Sequence, residues 1–585
     1  MKLGTEAPNL IVWHRRDLRL VDNPLYERVE SFGRVIPVYC FDERDFARQP
    51  STVQDTWDVV RTGPHAARFL LEAVQDLRLS LRERGSDLLI RFGKPHEVLL
   101  ELAVQIATTD ELSGQVEVCW NEEPGVDESA ASERVRQTLR SWPCNGRTTS
   151  DFSCTLFHPD DLPTGLDSWL KLAHPRQMHK RKARRNSPPR VPRASSSGDA
   201  RPQEMRINVS AARLEGMPEI MGEWRRAARG SSPVRPAKPA PAALPPLPPF
   251  IESGELPSYA QLMEDTISIK SGRPLFGILS DDIAAVVKAA CQTPPTTSAF
   301  PLRGGERHGA SRLEGFVREG KAAAADRSRA GGGLDSSSKI GAYLALGCSS
   351  PRSVWEFCGP GTGAEWLASH LEIRDYFMFK MLQLGPQSFR RRVSSKAQAA
   401  VLTWRTLRGG EEDTPGTAAH DWARWATART GLPLVDAGMR ELAATGYCSN
   451  RCRQNIASVL AKDLLIDWRL GAELFQWLLV DHDVSSNWGN WAYFSGVGSD
   501  PKNRHFKTIS QSMKYDPEAE YLHSWLPELR HLPVCNAHRP FQYCSTWPVP
   551  VVNPSTQLTW QDTVATTEVG VEGATLKIEP DVEAA

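Results

Sequence analysis

The segment Thr430–Trp491 constrains this 585-residue chain more than any other: TGLPLVDAGMRELAATGYCSNRCRQNIASVLAKDLLIDWRLGAELFQWLLVDHDVSSNWGNW. Its apolar residues recur at helical spacing. Threaded through them are Asp436, Arg440, Asn450, Arg453, Asp467, Asp481, Asp483 and Asn487. A buried charge costs several kcal/mol unless it is partnered. Such a density therefore implies internal ion pairs or a polar ligand held among helices. Trp468 and Trp491 fall on apolar faces of the same run. Indoles beside paired charges point to a cavity for a large aromatic cofactor, with a path for electrons into it.

The amino-terminal part reads differently. Short β-rich apolar runs at Leu10–Trp13, Val35–Phe41, Leu88–Phe92 and Val116–Trp120 alternate with amphipathic stretches, notably Ala66–Arg84 and His96–Ala107. That alternation predicts an α/β domain over 1–165 with a doubly wound parallel sheet. Ligands of such sheets sit at the carboxyl ends of the strands. Glu122, Glu123 and Asp127 follow the strand Val116–Trp120 at such an end, as ligand groups or as a solvated acidic loop capping the next helix.

The middle is of another composition. Lys171–Arg193 holds nine Lys and Arg and no acidic residue, and Pro233–Pro249 holds eight prolines. Residues 166–215 are expected to form a basic, disordered insertion, and 216–250 an interdomain helix and an extended Pro-rich linker. The run HKRKARR (His179–Arg185) suits RNA or other nucleic acid, a nuclear address, or a solvated insertion of no fixed role. From about 251 to 545 the spacing is helical. Helices are expected at Leu275–Ala290, Pro351–Phe357, Glu365–Leu384, Gly438–Ala444, Asn450–Asp467 and Ala472–Leu479. Residues 546–585, rich in Thr, Val, Pro and Glu, are expected to be a disordered tail.

Composition bounds the function. Formal net charge is zero, so nucleic-acid binding must come from a local patch. The eleven cysteines include no C-x-x-C pair and mostly lie in apolar settings, which argues for free thiols and against a metal site. No apolar stretch is long enough to span a bilayer. The first strand follows so soon after Met1 that no transit or secretory signal is expected, leaving nucleus or cytoplasm open.

Several segments carry a more specific resemblance. VWHRRDLRLVDNPLY (Val12–Tyr26), GPHAARFLLEAVQDLRLSLRERGSDLLIRFGKP (Gly63–Pro95), SSKIGAYLALGCSSPR (Ser337–Arg352) and SNWGNWAYFSGVGSDP (Ser486–Pro501) resemble the photolyase/cryptochrome family. The pattern is closest to its DASH branch, over about 1–165 and 216–530. The resemblance implies an all-α FAD-binding domain after the α/β domain. FAD would be the cofactor, with a folate antenna (MTHF) held by Glu123. Ser337, Ser338, Lys339 and Gly341, opening a helix over Ala342–Leu346, would receive the flavin phosphates. A family tyrosine that also touches the phosphates is replaced by Ala325. Arg453 and Asp481 match an ion pair beside the flavin ring, Asp483 a carboxylate near its polar edge and ribose, and Asn487 the amide facing N5. Trp491 and Trp468 match the first two members of an electron-hopping chain, with Trp404 as candidate third.

The substrate side departs from the family. A Glu-x-x-Trp-Arg-Asp motif lines the lesion pocket of photolyases. Here the segment is SHLEIRDYF (Ser369–Phe377). His370 replaces the glutamate and Ile373 the tryptophan, while Arg374 and Asp375 remain. Glu372 is two positions from the expected acid, roughly 200° around a helix. Asn450 and Gln454 are retained opposite, and Tyr493 replaces a second indole. The implied partner is DNA, preferably single-stranded and carrying pyrimidine dimers, with His370, Arg374, Asn450, Gln454 and Tyr493 on the substrate side. Two functions follow: light-driven repair of cyclobutane pyrimidine dimers by a monomeric enzyme, or a blue-light receptor acting on a regulatory protein partner.

Overall fold

The computed structural model describes residues 7–109, 115–142, 146–173, 214–267, 273–278, 280–291, 301–321, 337–360, 364–394, 404–405, 407, 414–499, 504–559 and 562. The amino-terminal domain is built on five parallel strands: β1 (Asn9–His14), β2 (Arg34–Phe41), β3 (Leu89–Phe92), β4 (Val116–Asn121) and β5 (Arg147–Asp151). Their order is β3-β2-β1-β4-β5. Every residue of β1 is buried, as a central strand covered on both faces requires. Helices α1 (Pro64–Arg82), α2 (Pro95–Thr109) and α3 (Val126–Ser141) supply the cover. The doubly wound reading holds. Sequence periodicity missed β5, whose RTTSD has no apolar residue because it is a half-exposed edge strand. The strand order reverses between β1 and β4, which opens a crevice at their carboxyl ends.

The expected disordered insertion begins later than 166. Helix α4 (Leu166–Ala173) buries Trp169 completely and packs on α5 (Met221–Ser231), whose Trp224 is equally buried. An amphipathic turn with an indole to bury was read there as part of a basic stretch. The insertion also ends earlier than 215, since Leu214 is fully buried in the core; residues 174–213, including His179–Arg185, lie outside the described residues. The Pro-rich segment after α5 has no regular secondary structure over 233–247. It is pinned to the α/β domain where Leu244 N–H donates to the Arg84 carbonyl and Asp22 N–H to the Lys238 carbonyl.

The second domain is helical: α6 (Tyr259–Ile267), α7 (Ser280–Cys291), α8 (Glu306–Arg318), α9 (Gly341–Ala345), α10 (Pro351–Phe357), α11 (Glu365–Leu384), α12 (Ala418–Ala426), α13 (Pro433–Thr445), α14 (Asn450–Ser458), α15 (Trp468–Leu478), α16 (Val484–Phe494), α17 (Thr508–Tyr515) and α18 (Glu520–Trp525). Three expectations change. Leu275 pairs with Asp58 as an isolated bridge, and its helix starts only at Ser280. The expected helix Asn450–Asp467 breaks: a π-turn over Val459–Asp463 follows α14, and the Asp467 carboxylate caps α15 by accepting from Arg469 N–H. A capping acid had been read as a helical residue. The tail is ordered well past 545. Trp547 is buried and donates to the Gly431 carbonyl, and buried Gln557 accepts from Thr508 N–H.

One hydrophobic cluster runs from β1 and α1 through α4 and α5 into α9–α11, so the domains share a core. A second fills the helical domain around α12–α16. Among the described residues no helix is long and apolar enough to cross a membrane.

Candidate functional site

Helices α14 and α16 and the link between α15 and α16 enclose a narrow cavity. It is lined by Asn450, Arg453, Phe475, Asp481, His482, Asp483, Asn487, Asn490 and Trp491. The polar residues separate by role here. Asp436 accepts from Thr430 N–H and Oγ1 and from Gly431 N–H, which pins the entry to α13. Arg440 pairs with Glu528 near the surface, and Asp467 pairs with Arg391 and Arg469. These three are structural. Arg453, Asp481, Asp483 and Asn487 face the cavity.

Arg453 Nη2 donates to Asp481 Oδ2 at 2.9 Å, and its Nε to the Cys448 carbonyl. Burial works against the guanidinium charge, but Asp481, together with Cys448 and Tyr447, outweighs it and the Arg453 pKa is raised. The second oxygen, Asp481 Oδ1, is buried and has no hydrogen-bond partner. Such an acceptor costs about 1–3 kcal/mol unless something donates to it. Asp483 caps α16, accepting from Ser486 N–H at 2.7 Å. Its burial is outweighed by Arg374, that N–H and Arg16, so its pKa falls below the usual carboxylate range. Asn487 Nδ2 donates to the Ala472 carbonyl on α15, leaving its amide oxygen available to the cavity.

The expected phosphate loop lies next to this wall. Lys339, at φ 59°, donates to Ser337 Oγ at 3.1 Å. Ser338 Oγ accepts from Ile340 N–H, and a Cβ on Gly341 would stand 3.5 Å from Asp481 Oδ2. Tyr447, which sequence reasoning missed, ties loop to cavity. Its hydroxyl is 3.2 Å from Ser337 Oγ, Lys339 Nζ lies 4.8 Å from its ring centroid, and the Arg453 guanidinium lies 5.2 Å from it. The only sequence signal was its place between a C-capping Gly446 and the N-cap Ser449. Ala325 lies outside the described residues, so Tyr447 is the tyrosine that the structure brings to this loop.

Trp491 is buried in the cavity wall, with its ring 2.3 Å from where a Gly471 Cβ would be. Trp468, fully buried, begins that same helix one turn earlier and donates from Nε1 to the Arg391 carbonyl. Trp404 is half-buried beside the chain entering α15, since Arg405 N–H donates to the Leu465 carbonyl.

The expected substrate residues do not converge. His370 is exposed, with Nδ1 2.7 Å from the Trp366 carbonyl. Ile373 packs against the shared core. Arg374, expected on the substrate side, points to the interdomain junction instead, donating to the Cys154 and Leu344 carbonyls. Asp375 accepts from Leu156 and Phe157 N–H. Glu372 is wholly buried between Arg225 and Arg229 of α5. This half of α11 clamps the domains together. Exposed Asn450 stands at the rim of the cavity; Gln454 accepts from Arg451, and Tyr493 from Arg504.

A second cavity, of about 280 Å³, occupies the crevice at the carboxyl ends of β1, β2 and β4 and reaches Gln476, Val480 and His482 of the helical domain. Glu123 lies there, 3.1 Å from Arg15 and 3.9 Å from Arg16. Burial raises its pKa against the pull of those arginines. His482 lines both cavities; burial and Arg16 hold it neutral, with its pKa lowered to about 3.

The residues fit the flavin that the resemblance implies. An orphaned carboxylate oxygen, an available amide oxygen, an arginine and a hydroxyl-rich helix start are contiguous around one indole-walled cavity. The family model for the FAD binding domain of DNA photolyase matches residues 366–559, and that for DNA photolyase matches 10–192. A cryptochrome DASH of Danio rerio is 33% identical over 90% of this chain and 84% of its own length. One from Gloeobacter violaceus is 34% identical over 91% and 88%. The crystal structure of a Synechocystis sp. PCC6803 cryptochrome superposes with a TM-score of 0.72 at 29% identity, covering 95% of this chain and 98% of that one. A bacterial class III photolyase from Agrobacterium tumefaciens shares the fold, with a TM-score of 0.66 at 23% identity over 97% and 99%. On these matches, and with the sheet and helical domain in the same fold, this chain belongs to the photolyase/cryptochrome family and stands with its cryptochrome DASH members.

Proposed function

We propose that this chain is a blue-light-absorbing FAD flavoprotein that reverses cyclobutane pyrimidine dimers, preferentially in single-stranded DNA. The observation that carries the reading is the polar cavity between α14 and α16, where Asp481 Oδ1 lacks a donor and Trp491 forms part of the wall. FAD, when bound, supplies light absorption and one-electron exchange. Ser337, Lys339 and the N–H groups opening α9 hold its diphosphate. Arg453 and Asp481 would lie beside the ring and tune it by charge, Asp483 would hold its polar edge, and Asn487 would offer its amide to the ring. Trp404, Trp468 and Trp491 would pass electrons inward in that order. Asn450, at the rim, and Gln454, one turn on, hydrogen-bond the flipped dimer. A folate antenna in the crevice cavity is held by Glu123, which Arg15 and Arg16 orient.

A second reading, a blue-light receptor with little repair, is favoured by one observation: half-buried Ile373 packs against the core at the position where repair enzymes of the family place a stacking indole. Stacking on an aromatic contributes about 1–3 kcal/mol per base. A single-strand preference fits its loss, because no duplex has to be opened. The test is anaerobic photoreduction of the purified protein, followed by assay of dimers in a single-stranded oligonucleotide. Light-dependent loss of dimers is expected. Photoreduction with dimers persisting at saturating protein would replace repair by the receptor reading.

A further inference from the structure

Trp491 has two ring partners among the described residues, Phe475 and Trp425, with centroids 5.1 and 6.2 Å away. Trp468 contacts a different ring, that of Trp488, at 5.7 Å. The indole in ring contact with Trp491 is therefore Trp425 on α12. It continues a series. Trp425 stacks on Trp422, one turn earlier, at 5.3 Å and 29°, and Trp422 stacks on Trp57 at 5.4 Å and 25°. Exposure rises outward along it, from 0% at Trp425 to 2% at Trp422 and 5% at Trp57, which follows the exposed Asp55 and Thr56.

The series is rigidly mounted. Trp425 Nε1 donates to the Ile456 carbonyl and Trp422 Nε1 to the Phe276 carbonyl. Phe276 N–H in turn donates to the Asp58 carbonyl, next to Trp57. At Gly277 (φ 64°) a Cβ would stand 2.4 Å from the Trp57 ring, so glycine lets the backbone lie against the indole. Buried aromatics usually need no function beyond the area they bury. What sets these apart is an unbroken ring-to-ring path from the cofactor wall to Trp57, an indole buried directly behind the exposed Asp55 and Thr56.

We propose that Trp425, Trp422 and Trp57 form a second electron conduit into the cofactor cavity, parallel to the one through Trp468. The inference rests on flavin photoreduction as read above. Trp491 gives one electron to the photoexcited cofactor. Trp425 refills Trp491, Trp422 refills Trp425, and Trp57 refills Trp422, so the cofactor is reduced by one electron and Trp57 is oxidised by one. The buried Trp57 Nε1–H has no acceptor, so the oxidised indole keeps its proton as a radical cation. A thiolate reductant in solution returns the electron and becomes a thiyl radical.

The test is transient absorption and electron paramagnetic resonance on the full-length, flavin-loaded protein. Flavin absorbance and circular dichroism verify that each variant folds. Trp468→Phe is expected to retain a long-lived tryptophan radical cation, and Trp468→Phe/Trp57→Phe to lose it. Loss of the radical in Trp468→Phe alone, where the unaltered protein forms one, overturns the conduit and leaves photoreduction standing. No radical in the unaltered protein overturns both. A second measurement needs no variant: after prolonged illumination without thiol, peptide mapping should find oxidised indole at Trp57. An unmodified Trp57 beside a modified Trp404 counts against the conduit.

Discussion

The two faces of the cavity region have different histories of constraint. On the cofactor face, Arg453, Asp481, Asp483 and Asn487 are held by hydrogen bonds that also point unused capacity inward. On the face expected to meet substrate, Glu372, Arg374 and Asp375 of α11 are engaged in joining domains, and the two positions that would meet a lesion carry an exposed histidine and a half-buried isoleucine packed on the core. One face is organised for a ligand, while the other is organised for its own fold. A site can keep its photochemistry while its substrate affinity drifts, because the supports of the two faces are separate.

The sharpest way to break this contrast is Asp481→Ala. It leaves the Arg453 guanidinium without its charge partner, at a cost of about 3 kcal/mol. The purified variant should lose most of its flavin, read as absorbance per protein. Retention of flavin would show that the cofactor face is not organised around this pair. Ile373→Trp acts on the other face. Restored stacking should tighten binding of dimer-containing single strands about tenfold in the dark, read by fluorescence anisotropy. An unchanged affinity would remove the isoleucine from the explanation.

Proton linkage gives a smaller effect. Burial raises Glu441, on α13, to about 7, against the opposing effects of Tyr521, Lys339 and Arg453. The folded state then binds more protons than the unfolded state between roughly pH 4.5 and 7. This residue's contribution therefore falls as pH rises through that window, by up to about 1.4 kcal/mol per unit, and levels off above it. Glu441→Gln should flatten that slope in denaturant titrations. An unaltered slope would exclude Glu441 as its source. The smallest effect belongs to His370→Ala, whose exposed side chain should change stability by less than about 0.5 kcal/mol. A larger shift would mean that the substrate face is built more firmly than its exposure implies.

Much of this was legible in the sequence, for definite reasons. Strands β1, β2 and β4 are apolar through their centres because both their faces are buried, and α11 carries helical spacing. Arg453, Asp481, Asp483 and Asn487 stood out because charge amid apolar periodicity is rare. What escaped detection depends on contacts distant in sequence. Tyr447 looks like a loop residue until Ser337, 110 positions away, meets its hydroxyl. Arg374 kept its family position, yet its guanidinium is aimed at Cys154 and Leu344, which no local pattern reveals. Trp547 sat in a polar tail and is buried against Gly431. In each case the partner, not the spacing, decides the role.

The core that runs without interruption from β1 into α11 has a further consequence. With Glu372, Arg374 and Asp375 fastening the same boundary, the molecule is mechanically a single body. A substrate would then enter through a fixed mouth and not by a hinge. An antenna in the crevice and a flavin among the helices would keep a constant mutual orientation. Transition-dipole coupling depends on that angle, so the yield of energy transfer would be set by architecture and vary little with thermal motion.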